Sequence, residues 1–282
     1  MNIKYKKLKI GFLLDSNKCA YNVFELIEMT INEKFKFNPI IIIDNTKKNK
    51  AKLKTKSLLS KEKKNLIKSI LYRVINQLEI IILNKTMLSG TNRILSTDLL
   101  DVDKHFIDCN ISSSHLYKDF DQNISSIQRL KLDLLIRCGS GILKGQILNV
   151  TKYGILSSHH GDNRYYRGGP SGFWEVYNNS ATSGFIIQKL NNKLDGGNVI
   201  SRNNYKTEKL WVLNKKNLQR ECNKSWIKLL DYIYNNNNLP KKEIEIDRII
   251  KVNKFPKNAI LFDYFLKKTL IYFILFLFYK KK

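Results

Sequence analysis

Two uninterrupted apolar runs near the start of the chain constrain the fold most. Residues 9–15 and 39–44 are short and rich in Ile, Leu and Phe, which is typical of strands that are buried on both faces of a parallel sheet. Between them, Asp15 or Ser16 is the expected N-cap of a helix that runs to about Lys34. A strand, a helix and a strand at this spacing predict a right-handed βαβ unit, and therefore an α/β fold with a mainly parallel sheet flanked by helices.

A second informative stretch lies in the middle of the chain. An apolar run over residues 153–158 predicts a strand that ends at His159, and a glycine-flanked turn carries Asp195 about 36 residues later. Because side chains alternate between the two faces of a strand, Ser157 shares a face with His159, whereas His160 lies on the other face. An imidazole and a carboxylate brought together on an α/β scaffold form an acid/base pair, which is the arrangement of a group-transfer enzyme.

These residues resemble the motifs of the folate-dependent formyltransferase family. Members of that family carry, approximately, Gly-x-x-Asn-x-His-x-Ser-Leu-Leu-Pro, then Arg-Gly, then Leu-Asp-x-Gly. The chain has Gly154-Ile-Leu-Ser-Ser-His-His-Gly-Asp-Asn-Arg164, then Arg167-Gly168, then Leu194-Asp-Gly-Gly197. Upstream, Leu132-Asp-Leu-Leu-Ile-Arg-Cys-Gly139 followed by Ile142-Leu143 resembles the strand and folate-binding loop of the family. The resemblance covers about half of the chain and implies a Rossmann-like catalytic domain.

The resemblance also implies a reaction, in which the co-substrate 10-formyltetrahydrofolate donates its formyl group to an amine. It implies that His159 stabilises the oxyanion, that Asp195 holds His159 charged and helps to take the amine proton, and that Ser157 stands where the family has asparagine. A hydroxyl reaches less far than an amide, so Ser157 needs a water or a second donor beside it, or the enzyme is slow. The implied cofactor-binding residues are Cys138, Gly139, Ser140, Gly141, Ile142, Leu143 and Asp195.

The loop after the histidine departs from the family motif. Where the family has Ser-Leu-Leu-Pro, the chain has Gly-Asp-Asn-Arg at residues 161–164. Asp162, Arg164 and Arg167 are expected to border the acceptor, where an arginine would pair with a phosphate or a carboxylate; a solvated loop is the alternative. The two adjacent histidines followed by Asp162 do not predict a metal site, because adjacent strand residues diverge and no third ligand is suitably spaced.

Helices are expected in the remaining parts of the chain. A lysine-rich, solvated insertion is expected between Thr46 and Lys64 and is followed by a helix, with Ser60 as the predicted N-cap. A second helical pattern over residues 212–234 predicts a helix that packs back on the catalytic domain. The first helix carries an apolar stripe that is expected to lie in the core, with a dimer contact as the alternative, and its members are Leu66, Ile67, Ile70, Leu71, Val74, Ile75, Leu78 and Ile82.

The end of the chain is an apolar and aromatic tail. It begins at Thr269, ends at Tyr279 and is flanked by lysines on both sides. Eleven helical residues span only about 16 Å, against a hydrocarbon core of about 30 Å, so the tail is not expected to cross a membrane. A peripheral position in the membrane interface, on the inner face, is one prediction. A terminal core helix or a dimer contact is the alternative.

The predicted organisation has two parts. Residues 1–205 form the catalytic domain, which includes the insertion and helix at about residues 46–85, and residues 206–282 form a helical, basic extension. The net charge of +26 does not identify a nucleic-acid partner, because the lysines are spread along the chain and accompany abundant Asn and Ile. No Gly-x-Gly-x-x-Gly follows the first strand, which argues against a dinucleotide cofactor. Four cysteines without a Cys-x-x-Cys pair and the lack of a signal-peptide pattern predict a cytoplasmic protein.

Formyl transfer to an amino sugar, nucleotide-activated or lipid-linked and destined for surface polysaccharide, is the leading interpretation. Methionyl-tRNA formyltransferase is an alternative because the chain is basic, but the resemblance implies a β-barrel domain after the catalytic domain of that enzyme. Phosphoribosylglycinamide formyltransferase would need neither the insertion nor the tail. An inactive family member that binds at a membrane is the alternative of another class, supported by Ser157 and opposed by His159 and Asp195.

Overall fold

A computed structural model describes residues 6–46, 58–83, 93–112, 117–191, 197–241, 243 and 252–279. Its helices are α1 (Tyr21–Asn32), α2 (Leu58–Leu83), α3 (Ile124–Arg129), α4 (Phe173–Tyr177), α5 (Trp211–Asn236) and α6 (Asn258–Tyr279). Its strands are β1 (Leu8–Leu14), β2 (Lys18–Ala20), β3 (Phe37–Asp44), β4 (Ile94–Ser96), β5 (Lys104–Ile107), β6 (Asn110–Ile111), β7 (Tyr117–Asp119), β8 (Leu134–Arg137), β9 (Ile142–Lys144), β10 (Ile155–His159), β11 (Arg167–Gly168), β12 (Thr182–Lys189), β13 (Asn198–Lys206) and β14 (Val252–Asn253).

The centre of the molecule is a seven-stranded sheet in the order β13-β12-β10-β8-β1-β3-β5. The neighbours from β10 to β5 pair in parallel, whereas β12 and β13 add an antiparallel edge. The mainly parallel α/β sheet that the sequence predicts is therefore confirmed. Smaller sheets join β2 to β4, β11 to β14, and β6, β7 and β9 to each other.

Both faces of the central sheet are buried, which explains why its strands are apolar throughout. On one face, alternate residues of β1 and β10 share a core with α1 and α5. On the other face, the intervening residues share a core with α3 and the turn after β9. The helix predicted over residues 212–234 is confirmed as α5, and its Leu218, Trp226 and Leu230 lie in the first of these cores. The proposed division at residue 205 stays a prediction.

The predicted N-cap of α1 is wrong. The helix begins at Tyr21, after the short strand β2, and Ala20 at the N-cap position makes no side-chain cap. The Ser16 hydroxyl instead donates to the Lys18 carbonyl at 2.7 Å, which closes the turn before β2. The Asp15 carboxylate accepts hydrogen bonds from residues far away in the sequence, so it was not available as a cap.

The predicted N-cap of α2 is also wrong, because the helix begins at Leu58 and Ser60 lies inside it. The predicted apolar stripe is only partly core. Ile75 is buried, and Leu71, Leu78 and Ile82 are partly buried, but Ile70 and Val74 are exposed. The predicted end of the lysine-rich insertion at Lys64 is wrong, because residues 58–64 belong to α2. Residues 47–57 of the insertion, and the side chains of Leu66 and Ile67, lie outside the described part of the chain.

A buried carboxylate joins α2, α5 and α6. Glu79 on α2 accepts hydrogen bonds from the Val212 backbone N–H at 2.7 Å, the Tyr264 hydroxyl at 2.5 Å and the Tyr272 hydroxyl at 2.8 Å. Burial raises the pKa of Glu79, although these donors and the charge of Lys268 oppose the shift. Three helices are thus held together by one polar group whose partners are all supplied by the protein. No helix in the described part of the chain combines the length and the hydropathy that crossing a membrane requires.

Candidate functional site

His159 lies at the carboxyl end of β10, which is hydrogen-bonded between β8 and β12 in the central sheet. Ile155 and Leu156 anchor the start of this strand in the core, whereas its last three residues are half-buried. In open α/β sheets, ligands bind in the crevice outside the carboxyl ends of the parallel strands. The strand therefore delivers His159 to the edge of the sheet where a binding cleft is expected.

The contacts of Ser158 and His160 agree with the predicted strand parity. The Ser158 hydroxyl hydrogen-bonds the Cys222 thiol on α5, and His160 lies close enough to Lys215, also on α5, to interact with its charge. Because adjacent strand residues point to opposite faces, Ser157 and His159 lie on the face away from α5. Their catalytic roles stay predictions.

Gln188 is a residue of this face that the sequence analysis missed. The antiparallel register of β10 and β12 places Gln188 directly opposite Ser157 and Ile186 opposite His159. Directly opposed residues project to the same face with Cβ atoms about 4.5–5.5 Å apart. A Cβ added at Gly197 would lie 3.0 Å from the amide oxygen of Gln188. The Gln188 amide therefore lies close to Gly197, and its Cβ lies beside that of Ser157.

Asp195 itself lies outside the described residues, as do residues 192–196 as a whole. Its predicted roles in catalysis and in cofactor binding stay predictions. Among the residues that are described, no group of three or more His, Cys, Asp and Glu side chains is arranged to hold a metal ion.

Gly161 allows the loop after His159 to pass close to the backbone of Tyr166. A Cβ at this position would lie 2.7 Å from the Tyr166 carbonyl oxygen and 3.4 Å from Nε2 of His159. A serine, which the formyltransferase motif has here, does not fit this arrangement without a shift of the backbone. The close approach of the loop to Tyr166 therefore requires a residue without a side chain at position 161.

Asp162 is the anchor of this loop. It is only 6% exposed, and its carboxylate accepts hydrogen bonds from the Arg164 side chain at 2.7 Å and from Arg202 on β13. Burial alone would raise the pKa of Asp162, but the hydrogen bonds from Arg164 and the charge of Arg202 lower it below its ordinary value. A Cβ at Gly184 would lie 2.9 Å from the Asp162 Cβ, so the loop packs directly on β12.

The three loop residues predicted to border the acceptor therefore differ in how far their side chains are free to contact it. Asp162 is saturated by two arginines, which favours a structural role over contact with an acceptor. The Arg164 side chain is 40% exposed although it pairs with Asp162, and Arg167 is half-buried on β11. Contact of Arg164 and Arg167 with an acceptor stays a prediction. Arg202 was missed, because nothing in its local sequence indicates a partner 40 residues away.

Asp15 holds the loop after β8 in place. The motif resemblance assigns this loop to folate binding. The Ser140 backbone N–H and hydroxyl each donate to Asp15 Oδ2 at 2.6 Å. Gly139, Ser140 and Gly141 are exposed, Cys138 and Ile142 are half-buried, and Leu143 is buried on β9. Burial raises the pKa of the Cys138 thiol to about 12, so this residue is a neutral thiol at neutral pH. The loop therefore presents a fixed stretch of accessible backbone beside β10.

Asp15 belongs to a buried ionic cluster at the carboxyl ends of β1, β3 and β8. Lys118 donates to Asp15 at 2.6 Å and to Asp44 at 2.8 Å, and Arg137 donates to Asp15 at 2.8 Å. Burial opposes ionisation of Asp15, but the charge of Arg137 and the hydrogen bonds from Lys118 and Ser140 hold its pKa well below the ordinary range. Two carboxylates and two cations leave the cluster formally neutral.

His160 makes the stability of the protein sensitive to acid. Burial, together with the charges of His159 and Lys215, lowers the pKa of His160 from the ordinary 6.5 to about 4. The unfolded chain therefore takes up a proton that the folded chain refuses, and stability is lost as the pH falls from about 6.5 towards 4. Burial raises the pKa of Glu175 from 4.5 to about 7, which gives a trend of the opposite sign over a similar range.

We therefore expect His160→Gln to lose less stability than the wild type between pH 7 and pH 5, measured as the difference in free energy of unfolding at the two pH values. The comparison cancels the contribution of Glu175, which both proteins retain. Equal losses in His160→Gln and the wild type would contradict the assignment.

Comparison with solved structures finds the same fold in formyltransferases. The glycinamide ribonucleotide transformylase 1 of Symbiobacterium toebii is 12% identical, with a TM-score of 0.52 over 82% of this chain and 89% of the other. The phosphoribosylglycinamide formyltransferase of Anaplasma phagocytophilum is 11% identical, with a TM-score of 0.51 over 82% of this chain and 88% of the other. A variant of HypX from Aquifex aeolicus, 12% identical with a TM-score of 0.51, matches 90% of this chain but 31% of its own. No family model and no curated protein sequence matches the chain. At these identities the likeness establishes the fold alone.

Proposed function

We propose that the protein transfers a formyl group from 10-formyltetrahydrofolate to a primary amine. The observation that carries this proposal is the position of His159, at the carboxyl end of β10 and on one face with Ser157 and Gln188. The loop after β8 lies beside it, because β8 and β10 are paired neighbours in the sheet. The fold shared with formyltransferases supports the same assignment.

The loop that comprises Cys138, Gly139, Ser140, Gly141, Ile142 and Leu143 would hold the folate. Gly139 and Gly141 of this loop are exposed, whereas the Ser140 backbone N–H between them is bound to Asp15, which fixes the position of the loop. A preorganised site of this kind binds without the cost of ordering a loop. The bound co-substrate supplies the formyl group that is transferred.

His159 would donate a hydrogen bond to the formyl oxygen as negative charge develops there. Asp195, which follows β12 in the sequence, would hold His159 in its charged form and help to take the proton from the attacking amine. Ser157 contributes one hydroxyl, and the Gln188 amide opposite it contributes the longer donor that a serine alone lacks. In this arrangement Ser157 and Gln188, on paired strands, together supply the donors that a single asparagine supplies in the family motif.

An amino sugar, nucleotide-activated or lipid-linked, is the proposed acceptor. Phosphate groups in α/β folds are commonly held by a glycine-rich turn after the first strand, at a helix N-terminus. Here that turn carries the Asp15 carboxylate, and β2 separates it from α1. Because Lys118 and Arg137 already bind the Asp15 carboxylate, and β2 rather than a helix N-terminus follows it, a phosphate of the acceptor is not expected to bind after β1. Arg164 and Arg167 of the loop after His159 are the proposed contacts of an anionic group.

Phosphoribosylglycinamide is the second candidate acceptor, because two structures with TM-scores of 0.51 and 0.52 carry that activity in their names. Methionyl-tRNA is less favoured. After residue 210, the described residues form the long helices α5 and α6 and one two-residue strand, and no β-barrel. A catalytically inactive protein stays the alternative of another class until turnover is measured.

Turnover with defined acceptors tests the proposal. Release of tetrahydrofolate from 10-formyltetrahydrofolate is measured with a nucleotide-activated amino sugar, with glycinamide ribonucleotide, with methionyl-tRNA and with no acceptor. We expect release that depends on the amino sugar. Release without any acceptor would indicate a hydrolase instead, and dependence on one of the other acceptors would reassign the substrate.

Calorimetric titration with 5-formyltetrahydrofolate separates folate binding from the choice of acceptor. We expect binding that is weakened by Ser140→Pro, which removes the backbone donor to Asp15 from the folate loop. Ser201→Ala on β13 is the control. A proline control at Ser126 is not used, because it would disrupt α3. Failure to bind at millimolar folate would overturn the enzyme proposal as a whole.

A further inference from the structure

Helix α6 carries an apolar face that no described part of the chain covers. Six large apolar residues on it are exposed, and they are Phe262, Leu266, Leu270, Phe273, Ile274 and Leu277. Leu270 is 69% exposed, more than any other apolar side chain of α6 whose exposure is described. Isolated exposed apolar side chains are common, but a run of them over four turns marks a contact surface.

The exposed residues form one continuous face. At about 100° per residue they fall within an arc of about 120°, which is the width of an amphipathic stripe. The residues buried against the protein, Leu261, Tyr264, Lys268 and Tyr272, fall on the opposite side of the helix. Since α6 packs along α2, it lies flat on the molecule with its apolar face outward.

The surroundings of this face are positively charged. Lys254 and Lys257 are exposed just before the helix, next to the exposed ring of Phe255. Within α6 the single acidic residue, Asp263, is paired with Lys267 at 2.7 Å. Three further lysines follow the helix in the sequence, at positions 280–282. An apolar stripe bordered by lysines matches the chemistry of an anionic lipid surface, which attracts cations and accepts apolar side chains.

We propose that the exposed face of α6 binds the surface of an anionic membrane, with the helix axis parallel to the bilayer. Phe262, Leu266, Leu270 and Phe273 enter the interfacial region, while Lys254 and Lys257 contact headgroups. Helix α2, which packs on α6, also exposes three apolar residues, Ile70, Val74 and Ile81. The proposal does not depend on the reaction that the protein catalyses.

The charge of the chain favours lipid over a second copy of the protein as the occupant. Each chain carries a formal charge of +26, so two copies repel each other, whereas an anionic bilayer attracts each of them. The same charge predicts that membrane binding weakens as the salt concentration rises.

Co-sedimentation of the full-length protein with vesicles of phosphatidylcholine and phosphatidylglycerol tests the proposal. We expect binding, weakened about tenfold by Leu270→Gln because one side chain no longer enters the apolar region. Leu266→Gln on the same face gives a second measurement with the same expectation. Leu99→Gln is the matched control, since Leu99 is also 69% exposed but lies outside this face, and its binding is expected to equal that of the wild type.

Point substitutions are needed because truncation after Lys268 would also remove the Tyr272 hydrogen bond to Glu79 and so destabilise the protein. The proposal is overturned if the protein does not bind the vesicles, or if Leu270→Gln and Leu266→Gln bind as tightly as the wild type and salt alone releases them. It is also overturned in favour of a second copy if light scattering finds a dimer that Leu270→Gln dissociates and no vesicle binding is seen.

Discussion

Replacing His159 by alanine is expected to lower the rate of formyl transfer by at least about 10²- to 10³-fold, the usual effect of losing one donor to a developing oxyanion. The expected loss lies in kcat, because this hydrogen bond strengthens only as charge develops on the formyl oxygen. His159 is half-buried at the end of β10, so the substitution leaves the core of the strand intact. The measurement is the initial rate of tetrahydrofolate release with a saturating amine acceptor.

His160→Ala is the matched control, since it removes an imidazole one residue away. His160 lies on the α5 face, near Lys215, and we expect its removal to change the rate by less than about tenfold. The melting temperature of both variants shows whether either of them has unfolded. A larger loss of rate in His160→Ala than in His159→Ala would show that the catalytic face is the one that contacts α5.

The central sheet was predictable because its signals are local. The apolar runs that form β1, β3 and β8 are continuous. A continuous apolar run is enough to predict a strand that is buried on both faces. The parity of Ser157 and His159 followed from strand geometry alone, without knowledge of any neighbouring element.

The errors occurred where a tertiary partner decides the outcome. Asp15 has the composition and position of a helix cap, but Lys118 and Arg137 lie 103 and 122 residues away and bind its carboxylate. Ser60 has the composition of a cap as well, yet α2 continues through it and begins at Leu58. Charge pairing across the sheet outweighs a single capping hydrogen bond, which contributes about 1 kcal/mol.

The apolar tail shows a different limit of sequence reasoning. A core helix and a membrane-facing helix were treated as alternatives, but the second half of α6 has features of both. Tyr272 is buried and bound to Glu79, whereas Leu270 and Phe273 are exposed on the other side of the helix. A helix that is apolar all round gives no indication of which side its own protein covers, because both sides have the same composition.

Gln188 could not be found from local sequence, because its relation to Ser157 depends on the register of two strands that pair in antiparallel fashion. We expect Gln188→Met, which keeps the volume of the side chain but removes its donor, to lower kcat about 10²-fold with little change in KM or melting temperature. Adding Ser157→Asn to this variant is expected to restore the rate to within about tenfold of the wild type, because the asparagine supplies the missing amide. Ser157→Asn alone is expected to keep or raise the activity. A double variant no faster than Gln188→Met would mean that the two side chains do not share one task.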